Sequence, residues 1–258
     1  MADEVLYEKL EGGVALVTLN RPEKRNAVNP ELAAGLEAAV KRSEADPDVR
    51  VVILTSSNDK VFCAGADLAA VAEGRGPLLS TPDGGFAGFV HAKRKKPWIA
   101  AVRGAAVAGG CELCLACDMV VASEDTRFGL PEAQRGLMAG AGGVTRLPRA
   151  IPRNIAIELV ATGDTIDAQR AYTLGLANRV AKPDEVVAEA LKIALRIAGN
   201  APLAVQEGVA LARATAFMTD AQAQEATAAA LARLRVTEDF KEGPKAFVEK
   251  RAPVWKGR

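Results

Sequence analysis

The sequence predicts an α/β protein with a largely parallel sheet, and three observations carry that prediction. Short β-branched apolar runs alternate with stretches of helical periodicity through the first half of the chain. One of those runs, "VRVVILTSS", is apolar almost without interruption, as a strand covered on both faces must be. Beyond Pro152 the strand signal gives way to successive helices, three of them closed by a glycine.

In chain order, "GGVALVTLN" alternates and predicts a strand over Val14–Leu19, with "RPEKRN" as the polar turn after it. Asn29 then suits an N-cap, Pro30 the first helical position, and Leu32, Leu36 and Val40 recur at four-residue spacing until "ADPD" stops the run. After the strand in "VRVVILTSS", the residues "AGADLAAVAEG" read as a loop turning into a helix. The stretch 74–88, with its glycines and prolines, loses periodicity and reads as a mobile loop. "WIAAVRGAAVA" is expected to be one strand, 111–117 a helix and "DMVVASE" the next strand. Helices are then expected at 154–162, 167–174 and 184–198, ending at Gly163, Gly175 and Gly199. Further helices are expected at about 203–216 and 221–236, with a short one at 244–251.

Composition limits the functional classes. The 258 residues are 49% hydrophobic and 25% charged, enough for a sizeable core and unlike a disordered or fibrous chain. A net charge of +1 supplies no overall attraction to nucleic acid or to an anionic membrane. The opening "MADEVLYEKLEGG" lacks the basic start and apolar run of a signal peptide, so a cytoplasmic location is expected. The most apolar segment, 104–122, contains Glu112 and Asp118; a charge at mid-span costs about 2.5–3.5 kcal/mol, so no membrane span is expected there.

Cys111, Cys114 and Cys117 spell C-x-x-C-x-x-C, but no Cys-Pro completes a cluster-binding run and Leu and Ala lie between them. With Cys63 they read as core thiols rather than as metal ligands or a disulfide framework. His91 is the only histidine and no G-x-S-x-G elbow occurs, which disfavours a Ser-His or Cys-His nucleophile. The basic run "HAKRKKPW" lacks aromatic residues in series for base stacking and reads as a solvated helix face rather than an RNA site.

Two segments share a strand, glycine turn and helix start: "CAGADL" at 63–68 and "AGGCEL" at 108–113. Helix N-termini point unpaired N–H groups outward and glycine lets a ligand come close, so together the turns suit one developing oxyanion. Glu112 lies in the first turn of an apolar helix, and Glu132 sits in "RFGLPEAQRGLMAGAGG". Two carboxylates in partly dry surroundings suit a general acid and a general base. The plainer alternative is that each caps backbone or pairs with an arginine such as Arg135 or Arg146. "GAGG" at 140–143 has no lysine and hydroxyl after it in the phosphate-loop pattern, and is read as shaping the loop after Glu132.

Five separated motifs, "LNRPEKRNAVN", "FCAGADL", "VRGAAVAGGCELCLACD", "FGLPEAQRGLMAGAGGVTRL" and "EDFKEGPKAFVEKRAP", resemble the enoyl-CoA hydratase or crotonase family in order and spacing. The resemblance covers nearly the whole chain, with 74–88 the poorest match. It implies a spiral of repeated ββα units over 1–198 and a helical trimerisation region over 199–258, assembled as a homotrimer or a dimer of trimers.

The resemblance also implies a coenzyme A thioester as substrate, with no metal and no cofactor beyond the CoA that the substrate carries. By position in the motifs, the amides of Ala66 and Gly109 would form the oxyanion hole. Glu112 would deprotonate the water that attacks the β-carbon, and Glu132 would protonate the α-carbon. Lys24, Ala27, Ala64, Asp67 and Leu68 would surround the CoA, with Phe247 and Lys250 reaching the CoA of a neighbouring subunit. The expected activity is reversible hydration of a trans-2-enoyl-CoA to a 3-hydroxyacyl-CoA. The rivals are a double-bond isomerase of the same family, which needs one carboxylate, and an RNA-binding or non-catalytic CoA-ester-binding member.

Overall fold

The structure is a computed structural model that describes residues 3–258. Strands β1 (Val5–Leu10) and β2 (Val14–Leu19) form an antiparallel hairpin in which Val5 faces Leu19 and Leu10 faces Val14. Helix α1 (Pro30–Ala45) begins as expected, with the Asn29 side chain accepting the Leu32 N–H at 2.9 Å, and buries Leu32, Leu36 and Val40. Then come β3 (Val51–Ser56), β4 (Val61–Cys63), the single turn α2 (Leu68–Ala70), and the two-residue strands β5 (Ser80–Thr81) and β6 (Gly85–Phe86). The middle of the chain holds β7 (Trp98–Val102), β8 (Ala105–Val107), α3 (Gly109–Ala116), β9 (Met119–Ser123), β10 (Arg127–Gly129) and α4 (Gly143–Ala150). It continues through α5 (Arg153–Thr162), β11 (Thr165–Asp167), α6 (Ala168–Leu174), β12 (Arg179–Ala181) and α7 (Val186–Ala198). Helices α8 (Pro202–Thr215), α9 (Asp220–Arg235) and α10 (Glu238–Val248) follow.

Two sheets organise these elements. The larger runs β1-β2-β3-β7-β9-β12 and is parallel beyond the first hairpin; the smaller runs β11-β10-β8-β4, with only β11 antiparallel. Successive segments β3-β4-α2, β7-β8-α3 and β9-β10-α4 each give one strand to each sheet and then a helix, the spiral of ββα units that the motifs implied. Strand β3 shows why its sequence has no polar face. Val52 and Leu54 enter the core between the sheets, whereas Val51 and Ile53 pack in a second core with Val186, Ala190, Ala194 and Ala198 of α7.

Several sequence expectations are corrected. The single strand read in "WIAAVRGAAVA" is two: Gly104, at φ +67°, turns the chain out of one sheet and into the other, where a Cβ would lie 2.0 Å from the Lys60 carbonyl oxygen. The stretch 74–88 is not a plain loop, because helical turns and the β5–β6 hairpin organise it. Thr81 Oγ1 ties that hairpin to α1 by donating to Glu37 Oε1 at 2.6 Å. Strands do continue after Pro152, but β11 and β12 have three residues each, too few to leave a period. The last helix starts at Glu238, capped by Thr237, with Pro244 inside it. Gly163 and Gly175 take the left-handed cap conformation, whereas Gly199 has φ −72°.

The basic run is not a helix, and only part of it is solvated: His91, Lys93 and Lys95 are exposed, whereas Arg94 and Lys96 turn inward. Lys96 is 5% exposed and its Nζ donates to the carbonyls of Ser43 and Asp46, each at 2.6 Å. The Arg94 guanidinium stacks 4.0 Å from the Phe89 ring centre and donates to the Ala116 carbonyl at 2.6 Å. Cys63, Cys111 and Cys114 are buried, and burial pushes the Cys63 and Cys111 thiols up to about 12. Among the described residues no helix is long and apolar enough to cross a membrane.

One side chain fastens α8 to this core. Arg213 grips Asp118 with Nε and Nη2, both at 2.6 Å, and also donates to the Arg94 and Lys96 carbonyls; Asp118 in turn accepts the Trp98 N–H at 2.8 Å. Charge-assisted, bidentate bonds of this kind are the strong ones. Arg213→Ala is therefore expected to cost about 1–3 kcal/mol, read by denaturant unfolding, with hydrogen exchange rising first in α8.

Candidate active site

The β4–α2 turn is bound along its length to the segment after β2. Ala64 N–H donates to the Arg25 carbonyl at 3.1 Å, Val28 N–H to that of Gly65 at 2.7 Å, and Asp67 N–H to that of Val28 at 2.9 Å. Lys24, Ala27, Ala64, Asp67 and Leu68 thus share one rim, with Lys24 and Leu68 exposed. Asp67 has little to offer a ligand. Its side chain caps α2 by accepting the Ala69 and Ala70 N–H groups, and pairs with Arg21 Nη1 at 2.7 Å. Burial would raise its pKa, but the Arg21 contact and the two amides outweigh it and hold the carboxyl below its usual value.

The second turn joins β8 to α3. Ala108 sits at φ 52°, ψ −129°, a strained setting for a residue with a Cβ, and its N–H is held by the Gly129 carbonyl at 3.0 Å. The two turns touch. A Cβ on Gly65, itself at φ +90°, would lie 2.8 Å from the Gly109 nitrogen, and one on Gly109 would lie 3.1 Å from Gly65 Cα. That contact brings the Ala66 and Gly109 amides together, and neither N–H has an acceptor among the described residues. The Phe86 ring closes over Gly109, its Cε1 2.5 Å from where a Cβ would stand.

Glu112 follows in the first turn of α3, only 3% exposed, with Oε1 accepting the Gly143 N–H at 2.8 Å. Burial is the main reason its pKa rises to about 7. The nearby Glu132 adds to the rise and the Gly143 amide opposes it. Glu132 stands on a short 3₁₀ turn, Pro131–Arg135, immediately after β10. Its Oε2 is buried without a hydrogen-bond partner, and burial raises its pKa as well. Neither carboxylate forms an ion pair with Arg135 or Arg146 among the described residues, so the arginine-paired alternative does not hold, but its backbone-capping half does for Glu112, which accepts the first amide of α4. Two acids in one dry site with different partners are equipped to hold different protonation states.

A family model described as enoyl-CoA hydratase/isomerase matches residues 9–258. The chain belongs to this family. Among curated proteins it is 40% identical to the carnitinyl-CoA dehydratase of Proteus mirabilis (strain HI4320), over 98% of both chains. Among solved structures, an enoyl-CoA hydratase from Mycobacterium tuberculosis H37Rv superposes with a TM-score of 0.95 at 40% identity, covering 99% of this chain and 100% of that one. A carnitinyl-CoA hydratase from Mycobacterium avium gives 0.76 at 43% identity, with both chains fully covered.

Within this enoyl-CoA hydratase/isomerase chain, the structure brings together both glycine turns, both glutamates and the rim from Lys24 to Leu68. It does not bring Phe247 and Lys250 there. Phe247 is 85% exposed on α10, which packs against α9, and Lys250 follows it on the surface. Sequence reasoning missed three contributors. Arg21 was hidden in a polar turn, Phe86 lay in a stretch without periodicity, and Gly143 was noticed as part of "GAGG" but not as the donor to Glu112.

Proposed function

We propose that this enzyme hydrates a trans-2-enoyl-CoA to a 3-hydroxyacyl-CoA. The observation that carries the proposal is the pair of carboxylates, Glu112 buried and hydrogen-bonded and Glu132 half-buried with one enclosed, unpartnered oxygen, in the site built around two touching helix-start turns. The thioester oxygen would accept hydrogen bonds from the Ala66 and Gly109 amides, which hold the charge as the enolate develops. Glu112, kept acceptor-like by the Gly143 N–H, takes a proton from water as its oxygen bonds to the β-carbon. Glu132 delivers a proton to the α-carbon from its unpartnered oxygen. Two acids with distinct roles favour hydration over isomerisation, which needs one. The dehydratase names among its relatives fit the same reaction run in reverse.

The CoA would lie along Lys24, Ala27, Ala64 and Leu68, with Asp67 and Arg21 shaping that rim. Phe247 and Lys250 would serve the site of a neighbouring copy in a homotrimer or hexamer. No cofactor beyond the substrate's own CoA takes part, and the enzyme would act in the cytoplasm. The decisive experiment follows the loss of conjugated-thioester absorbance when the purified protein meets crotonyl-CoA and, in parallel, crotonobetainyl-CoA. Decay with either ester supports hydration; migration of a double bond in a 3-enoyl-CoA without any hydration would establish the isomerase instead.

A pH profile follows from the two carboxyl groups. The roles need Glu112 ionised and Glu132 protonated, so kcat/KM is expected to be bell-shaped with one limb near 7, set by Glu112. Burial raises Glu132 as well, so the other limb is expected above the ordinary glutamate range. A profile with no limb near 7 would remove Glu112 from the working pair.

A further inference from the structure

Glu112 is held by a glycine loop, and that loop is held by one side chain. Arg146 on α4 donates from Nη1 to the Ala141 carbonyl at 3.0 Å and from Nη2 to the Val90 carbonyl at 2.5 Å, joining the loop to the segment before β7. Its own backbone N–H donates to the Gly142 carbonyl at 2.8 Å. The guanidinium fills the space beside Gly142 so closely that a Cβ there would lie 1.8 Å from Nη1. The next residue, Gly143, donates to Glu112.

We propose that Arg146 is a positioning residue: by bridging Ala141 and Val90 it clamps the 140–143 loop, and through the Gly143 amide it fixes the Glu112 carboxylate in the site. The proposal rests on the hydratase reading of Glu112 only for its kinetic consequence. The titratable and charged groups acting on Glu112 are Glu132 on the 3₁₀ turn, the Cys111 thiol on α3, and Arg146 with Arg149 beyond it on α4; the Cys63 thiol on β4 donates instead to the Asn26 carbonyl, and β8 contributes none. Arg146 is the cation among them whose charge favours the ionised form of Glu112. A two-point fork onto two carbonyls is something arginine provides and lysine does not.

The test compares Arg146→Gln and Arg146→Lys with the control Arg149→Gln, which removes an exposed neighbouring cation that stacks on Phe217. Two readouts need no turnover: hydrogen exchange at the Gly143 amide, and the ¹³C carboxyl titration of Glu112. Arg146→Gln is expected to speed Gly143 exchange by roughly tenfold or more and to move the Glu112 titration upward. Arg146→Lys should keep the titration close to wild type while still loosening the amide. With crotonyl-CoA, kcat is expected to fall about 100-fold in Arg146→Gln, the cost of roughly 1 Å of misplacement, with KM changing much less.

Unchanged exchange and titration in folded Arg146→Gln would overturn the proposal, as would equal effects from Arg149→Gln. If Arg146→Gln does not fold, Arg146→Lys decides by its Gly143 exchange alone. Absence of turnover in the wild-type protein would overturn the hydratase reading and leave both spectroscopic readouts to decide on the clamp.

Discussion

Glu112→Gln and Glu132→Gln are each expected to lower kcat for enoyl-CoA hydration by about 10²–10⁴-fold, the usual contribution of a positioned acid or base, with binding of a saturated acyl-CoA little changed. Glutamine keeps the length and shape of each side chain, and in Glu112→Gln its amide oxygen can still accept the Gly143 N–H. The loss therefore reports proton transfer rather than collapse of the site. Wild-type rates in either variant would remove the role assigned to that residue.

Glu112→Gln carries a second expectation of opposite sign. An unfolded glutamate ionises near 4.5 and the folded Glu112 near 7, so between those values the folded chain holds the extra proton. Stability then declines as pH rises through that window and stays lower above it. At about 1.4 kcal/mol per pKa unit, relief of the buried charge is worth on the order of 3 kcal/mol. At pH 8 the inactive variant is thus expected to outlast the wild type in thermal unfolding, and the advantage should vanish below pH 4.5. A variant less stable than wild type at pH 8 would show that the carboxylate is a net structural asset.

Gly110→Ala is expected to damage stability and catalysis together. A Cβ at Gly110 would lie 2.0 Å from the Cys63 carbonyl oxygen and 2.7 Å from its carbon, both backbone atoms that cannot swing aside. Overpacking of this kind costs about 1–3 kcal/mol or more, which at about 2–4 °C per kcal/mol lowers Tm by roughly 2–12 °C. Relief requires α3 to withdraw from β4, carrying the Gly109 amide and Glu112 with it, so a fall in kcat of about 100-fold is expected as well. Gly208→Ala on α8 is the contrasting case: nothing stands within 4 Å of its Cβ. That change should stabilise its helix by up to about 1 kcal/mol. Similar melting temperatures for the two variants would contradict the close approach of α3 to β4.

The parts of the molecule that were legible in the sequence are those whose signal is local. The Asn29-Pro30 start of α1 and the strands β2 and β3 carry their own caps and periods, and the structure reproduces them. Glu112 stood out because a carboxylate in an apolar helix is costly, a conflict visible without coordinates. What escaped was set by partners distant in sequence. Gly104 looks like an ordinary strand glycine until Lys60 is placed against it, and β8, β10 and β11 are too short to show alternation. The basic run from His91 reads as solvated because nothing local says that Lys96 meets the Ser43 and Asp46 carbonyls at the C-terminal end of α1.

The ββα spiral has a consequence for how such a protein can diversify. Each winding delivers part of the site: Ala66 comes from the first, Gly109 and Glu112 from the next, and Glu132 from the one after. The hairpin at Ser80–Phe86 hangs off the first winding outside both large sheets and touches the site through Phe86. Insertions or deletions there leave the registers of both large sheets intact. A lineage can therefore remodel the wall over Gly109 by editing an appendage, while the two large sheets and the turns they carry are inherited unchanged.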